Sequence, residues 1–159
     1  MKERIAVCPG SFDPVTLGHL DVFLRAADCF DTVVVLVMQN ASKKAVFSPE
    51  ERCRIIRQSL PRDVNVRVVT SEGICANVAR ELGACAIVKG IRSQADYDYE
   101  ADMAVINRGL SAPETVFLPA KPGLRHVSTS VGLHLFSLGA DVSSYFPPEA
   151  VKALTRKYK

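Results

Sequence analysis

Short apolar runs rich in β-branched residues alternate along the chain with longer segments in which apolar residues recur at helical spacing. The runs are Ile5-Ala6-Val7-Cys8, Thr32 to Met38, Val64 to Val69, Ala86-Ile87-Val88 and Thr115-Val116-Phe117-Leu118. Their near-continuous hydrophobicity is that of strands buried on both faces, which predicts a five-stranded parallel sheet. Between them, Leu17, Leu20, Leu24 and Ala27 form one apolar stripe of a helix. Ser48-Pro49-Glu50-Glu51 is a capping box with proline at the first helical position, predicting a helix to about Leu60. Further helices are predicted over 74–82, on the face marked by Tyr99, Met103, Ile106 and Leu110, on Val131, Leu135 and Leu138, and over 148–156. Strands alternating with helices imply a doubly wound α/β fold, read as a single domain over 1–159.

Composition narrows the classes. Of 159 residues, 48% are hydrophobic and 23% charged, enough for a folded core and against global disorder. The net charge of +3 is too small to argue for nucleic acid, and no nucleic-acid partner is expected, although local cation clusters can still hold a small anion. The five cysteines have neither CxxC pairing nor zinc-site spacing. They are expected to be buried free thiols in a reducing compartment. With no secretory leader pattern and no apolar run of membrane-spanning length, the expected location is cytoplasmic.

In doubly wound folds, ligands bind beyond the carboxyl ends of the strands, so chemistry is sought in the loops that follow them. After the first strand comes Gly10-Ser11-Phe12-Asp13-Pro14-Val15-Thr16-Leu17-Gly18-His19. A helix beginning near Thr16 offers free N–H groups and a positive dipole end to phosphate, with His19 in its first turn. Asp13 is expected as a turn or cap residue. After the second strand stands Ser42-Lys43-Lys44, after the fourth Lys89-Gly90-Ile91-Arg92. After the fifth, a loop with Lys121, Arg125 and His126 leads into Val127-Ser128-Thr129-Ser130 at a helix start. Cations and helix N-termini gathered at one rim suit a polyphosphate ligand. The chain has neither GxGxxG nor GxxxxGK[ST] nor GxSxG, which disfavours dinucleotide dehydrogenases, P-loop enzymes and serine hydrolases.

Gly10-Ser11-Phe12-Asp13-Pro14 followed by Thr16-Leu17-Gly18-His19 resembles the T/HxGH signature of the nucleotidyltransferase superfamily, with its Rossmann-like fold. Within it the chain is similar to the bacterial phosphopantetheine adenylyltransferases from Ile5 to about Pro148. Phe47-Ser48-Pro49-Glu50-Glu51-Arg52, Lys89-Gly90-Ile91-Arg92, Asp96-Tyr97-Asp98-Tyr99-Glu100 and Asn107-Arg108 carry that likeness in order. The resemblance implies transfer of the adenylyl group of ATP to 4′-phosphopantetheine, giving dephospho-coenzyme A and pyrophosphate. It implies Mg²⁺ bound mainly through substrate phosphates, a homohexamer, and feedback inhibition by coenzyme A. It carries ATP contacts onto Ser11, Phe12, His19, Gly90, Arg92, Glu100, Val127, Ser128, Thr129 and Ser130. Acceptor contacts fall on Ser11, Lys43, Ile74, Cys75, Lys89 and Asn107. Ser11 stands where the family commonly has Thr, Lys89 where it has Arg, and Cys8 where it often has Tyr.

A phosphorylated acceptor is its own nucleophile, so positioning and electrostatics should carry catalysis. The catalytic set expected on this resemblance is His19 at the α-phosphate, Lys43 bridging the acceptor and α-phosphates, Arg92 on the β/γ-phosphates and Ser11 donating a hydroxyl. No carboxylate cage for a metal is evident in the sequence. Two alternatives stay open: another adenylyl- or cytidylyltransferase with a different phosphorylated acceptor, and a non-catalytic nucleotide-binding module.

Overall fold

A computed structural model describes residues 3–39 and 44–159. The strands are β1 (Ile5–Gly10), β2 (Thr32–Met38), β3 (Val66–Ser71), β4 (Ala86–Ile91) and β5 (Glu114–Pro119). The helices are α1 (Leu17–Cys29), α2 (Pro49–Ser59), α3 (Cys75–Glu81), α4 (Gln94–Gly109), α5 (Thr129–Ser137) and α6 (Pro148–Tyr158). A 3₁₀ turn, Pro122–Leu124, lies between β5 and α5. The strands form one sheet in the order β3-β2-β1-β4-β5, all pairs parallel. The chain turns back across the sheet after β3, so the topological switch lies between β1 and β4, where the crevice of such folds opens.

Alternation along each strand sends side chains to opposite faces. Ala6, Cys8, Val33, Val35 and Val37 pack with Phe23 of α1, Ile56 of α2, Leu154 of α6 and Phe146 in the thicker core. Val7, Val34, Leu36 and Ile87 meet Ala79 of α3 on the other face. On α1 the buried apolar residues are Leu20, Phe23 and Ala26, so the stripe expected through Leu24 is rotated toward Phe23. The larger aromatic ring takes the inward position. Helix α2 starts at the predicted capping box, with Ser48 Oγ accepting from the Glu51 N–H at 3.2 Å and Glu51 Oε2 accepting from the Ser48 N–H at 2.8 Å.

The boundary of one strand differs from the expectation. Strand β3 begins at Val66 rather than Val64: the Val66 N–H donates back to the Val64 carbonyl at 2.9 Å, a local turn that keeps Val64 out of the ladder, and the Asn65 side-chain amide donates to Thr32 Oγ1 at 2.8 Å. Helix α4 carries the apolar face predicted for it, yet it has no buried residue in the single chain, and Tyr99, Ile106 and Leu110 are exposed. The thiols also divide. Cys8 and Cys53 are buried, Cys75 is intermediate, and Cys29 and Cys85 are exposed at element ends.

Candidate active site

At the switch point, the loop after β1, the end of β4, the start of α4 and the start of α5 enclose a cavity of about 350 Å³. Ser11, Phe12, His19, Lys89, Gly90, Arg92, Glu100 and Val127 to Ser130 all line it. A second cavity of about 330 Å³ adjoins it, lined among others by Cys75, Met103 and Asn107. Ser11, Lys89 and Glu100 face both. Every expected ATP residue thus reaches one crevice. Of the expected acceptor residues, Cys75, Lys89, Asn107 and Ser11 reach the neighbouring one. Ile74 is exposed at the N-cap of α3, beside Cys75. Lys43 lies outside the described residues.

The first turn of α1 orients His19. Thr16 is the N-cap, its Oγ1 accepting from the His19 N–H at 3.2 Å, while its own N–H donates to His19 Nδ1 at 3.0 Å. The ring therefore replaces the usual glutamate of a capping box. Because Nδ1 accepts, the proton of the neutral ring sits on Nε2, which is left to donate into the crevice. Burial, and then repulsion from Arg92 and Lys89, push the imidazole down from 6.5 to about 4. At neutral pH His19 is a hydrogen-bond donor without charge. Phe12 packs edge-on against it, ring centroids 5.0 Å apart, and against Phe23 at 5.1 Å. Gly10 makes room for that ring, since a Cβ there would stand 2.7 Å from Phe12 Cζ.

Arg92 and Lys89 both meet carboxylates. Arg92 grips Asp96 with two bonds, Nε to Oδ2 at 2.9 Å and Nη2 to Oδ1 at 3.2 Å, and Nη1 donates to the Val127 carbonyl at 2.9 Å. Although burial opposes it, these hydrogen bonds hold Asp96 below the usual carboxylate range. A guanidinium has five N–H donors, so two remain for a ligand. Lys89 Nζ lies 3.0 Å from Glu100 Oε1. At α5, Ser128 Oγ accepts from the Val131 N–H at 3.2 Å, and Thr129 Oγ1 donates to the Pro14 carbonyl at 3.3 Å. The N–H groups of Thr129 and Ser130, in the first turn, have no partner within the helix.

Other basic side chains along the rim brace the scaffold instead. Lys121 Nζ sits 2.5 Å from Asp21 Oδ1, Arg125 Nε donates to the Arg92 carbonyl at 3.1 Å, and His126 packs on Tyr145. Their place in the sequence, after β5, did not distinguish them from ligand contacts. Sequence reasoning also missed Arg52, quoted only as part of a motif. It is 4% exposed, and donates to the carbonyls of Phe47 and Ser11 at 3.0 Å and of Met38 at 3.3 Å. Asp13, 3.8 Å from it, accepts from the N–H groups of Val46 at 2.7 Å and Phe47 at 2.8 Å.

A parallel α/β sheet with helix N-termini and cations around a crevice at its switch point is an architecture suited to holding a nucleotide. The pattern of the cytidylyltransferase-like family matches residues 7–131. A phosphopantetheine adenylyltransferase of Kocuria rhizophila is 49% identical over 152 residues, covering 95% of this chain and 97% of the relative. Another, of Streptomyces coelicolor, is 43% identical, covering 98% of each. Among solved structures, a nicotinic acid mononucleotide adenylyltransferase of Plasmodium falciparum, complexed with NaAD, superposes with a TM-score of 0.72 at 12% identity. That match covers 98% of this chain and 96% of the other, and bears on the fold. The chain belongs to the phosphopantetheine adenylyltransferase family, within the cytidylyltransferase-like nucleotidyltransferases.

Proposed function

We propose that the protein transfers the adenylyl group of ATP to 4′-phosphopantetheine, releasing pyrophosphate and dephospho-coenzyme A. The observation that carries this reading is the pair of adjoining cavities with Ser11, Lys89 and Glu100 at their junction. One is lined by helix N-termini and Arg92, as a nucleoside triphosphate requires. The other is partly apolar, with Met103 and Cys75 beside Asn107, as suits a slender amide-containing arm. The names borne by the full-length relatives support the same acceptor.

The acceptor phosphate has a second pKa of about 6, so at neutral pH its dianion attacks the α-phosphorus without a general base. The P–O bond to the β-phosphate breaks as the new one forms, and pyrophosphate leaves. His19 Nε2–H donates to an α-phosphate oxygen as charge builds there. Being neutral in the free protein, it gains most from a ligand whose charge peaks at the transition state. Lys89 exchanges Glu100 for the acceptor phosphate, and Arg92 uses its free N–H groups on the β/γ-phosphates. Ser11 donates its hydroxyl at the junction. Lys43 is proposed to bridge the two reacting phosphates.

Mg²⁺, when bound, would shield the triphosphate. The crevice carboxylates Asp96 and Glu100 are already engaged by Arg92 and Lys89, and no group of three or more candidate metal ligands clusters among the described residues. The donor set therefore fits an ion carried by substrate oxygens and water. Assembly as a homohexamer and inhibition by coenzyme A complete the proposal, and the uncovered apolar residues of α4 agree with assembly. No described helix is long and apolar enough to cross a membrane.

Incubation with ATP or CTP and a panel of phosphorylated acceptors, followed by weighing of the products, tests the reading. Dephospho-coenzyme A should form from ATP and 4′-phosphopantetheine alone. Preferential turnover of a nicotinate or cytidylyl pair would replace the acceptor assignment.

A further inference from the structure

Phe12 holds a backbone φ of +48°, in the left-handed region that non-glycine residues seldom occupy. Such a conformation persists only where its surroundings over-determine it. Here anchors stand on both sides. The Ser11 carbonyl, just before Phe12, accepts from Arg52 Nη1, and the Asp13 carboxylate, just after it, accepts the N–H groups of Val46 and Phe47. Arg52 also binds the Phe47 and Met38 carbonyls, so one guanidinium joins the loop after β1, the end of β2 and the lead into α2. Neither charge lines the nucleotide or acceptor cavity. Both are bonded almost entirely to main chain. A buried arginine held this way costs desolvation that a merely apolar filler would avoid, so geometry is what it supplies.

We propose that Asp13 and Arg52 are positioning residues: the pair holds the loop after β1 in the form that sets Ser11 at the junction of the two cavities and Phe12 against the His19 ring. Charge at either position acts through the loop and touches no substrate. The expectation that Asp13 serves as a simple turn or cap residue is thereby refined: its carboxylate reaches across to the segment before α2 rather than to its own turn.

The proposal uses the adenylyl-transfer reading for its assay. Asp13→Asn keeps the shape and one acceptor oxygen; Arg52→Lys keeps the charge but loses the fork that serves three carbonyls. With ATP and 4′-phosphopantetheine, each variant should lose about tenfold or more in kcat with a KM for ATP within about threefold of wild type. In NMR titration His19 should move up from about 4 toward 6.5 as its packed ring loosens. In a double-mutant cycle, the fold-loss caused by Arg52→Lys should shrink when His19 is already Ala, because both act on one step. A kcat per folded molecule within twofold of wild type in both variants, an unmoved His19 titration, or an unchanged fold-loss in the His19→Ala background would each overturn the proposal and leave the pair a stability device. Should one variant fail to fold, the other decides by the same readings. The His19 titration needs no substrate, so an inactive wild type would sink the adenylyl-transfer reading while this inference stood or fell on its own.

Discussion

At the scale of single residues, His19 joins structure to chemistry most closely. Its Nδ1 is spent on the helix N-cap, so Nε2–H alone is free to meet a phosphate. His19→Ala should lower kcat by about 10²–10³-fold while ATP affinity changes little, the loss expected when one transition-state donor is removed. Turnover and equilibrium ATP binding measured on the same preparation separate the two. The depressed imidazole also sets a pH dependence. Between 6.5 and about 4 the unfolded chain carries a proton on this side chain that the folded one refuses. More protons bind to the unfolded state, so stability is complete above that window and falls as the pH descends through it. Thermal melts from neutral pH to pH 4 should show the decline, and His19→Gln should make it shallower. Replacing Lys89 by Met removes one of the repelling charges, so the His19 titration should then move upward.

At the scale of elements, the crevice depends on how closely α1 crosses β4 and how firmly α5 begins. A Cβ on Gly90 would come 2.7 Å from Val22 Cγ2, so Gly90 keeps α1 down on β4. Its expected place beside ATP is a lining position with a packing cause. Gly90→Ala should cost about 1–3 kcal/mol in denaturant unfolding, as overpacking does, and Val22→Ala should recover part of it. Arg92 supports α5 by holding the Val127 carbonyl just before the Ser128 cap. Arg92→Ala should accelerate amide exchange at Val131 and Gly132, the first bonded N–H groups of that helix, as well as weakening ATP.

The elements were readable because their cause is local. Capping chemistry announced α2, and apolar runs announced all five strands. Strand ends were less so: β1 runs on to Gly10 and β4 to Ile91 through Lys89, where ladder pairing rather than apolarity decides. Pairs distant in sequence were hidden. Arg92 and Asp96 are one helical turn apart in sequence, a spacing that advertises an ion pair. Arg52–Asp13 joins the loop after β1 to α2, and Lys121–Asp21 joins the loop after β5 to α1, contacts that only the folded sheet brings together.

At the scale of the whole molecule, the sheet order makes the site. Parallel strands send their following loops to one edge, and the reversal between β1 and β4 leaves a gap there. That is why residues from Ser11 to Ser130 were legible as one site without any local contact between them. The helical periodicity of α4 was legible too, but not its partner: Tyr99, Val105, Ile106 and Leu110 stay exposed in the single chain. Exposed apolar surface of this kind agrees with subunit contact. Sedimentation should therefore give a mass several times the 17.3 kDa of one chain, falling on dilution if the contacts are weak.

In the proposed mechanism ATP and a phosphorylated acceptor meet in adjoining cavities under the Nε2–H of His19. Pyrophosphate release measured with ATP, with and without 4′-phosphopantetheine, in wild type and His19→Ala, tests it most directly. Release that requires the acceptor and collapses in the variant is the predicted result. Release without the acceptor, or at equal rates in both proteins, would contradict the account.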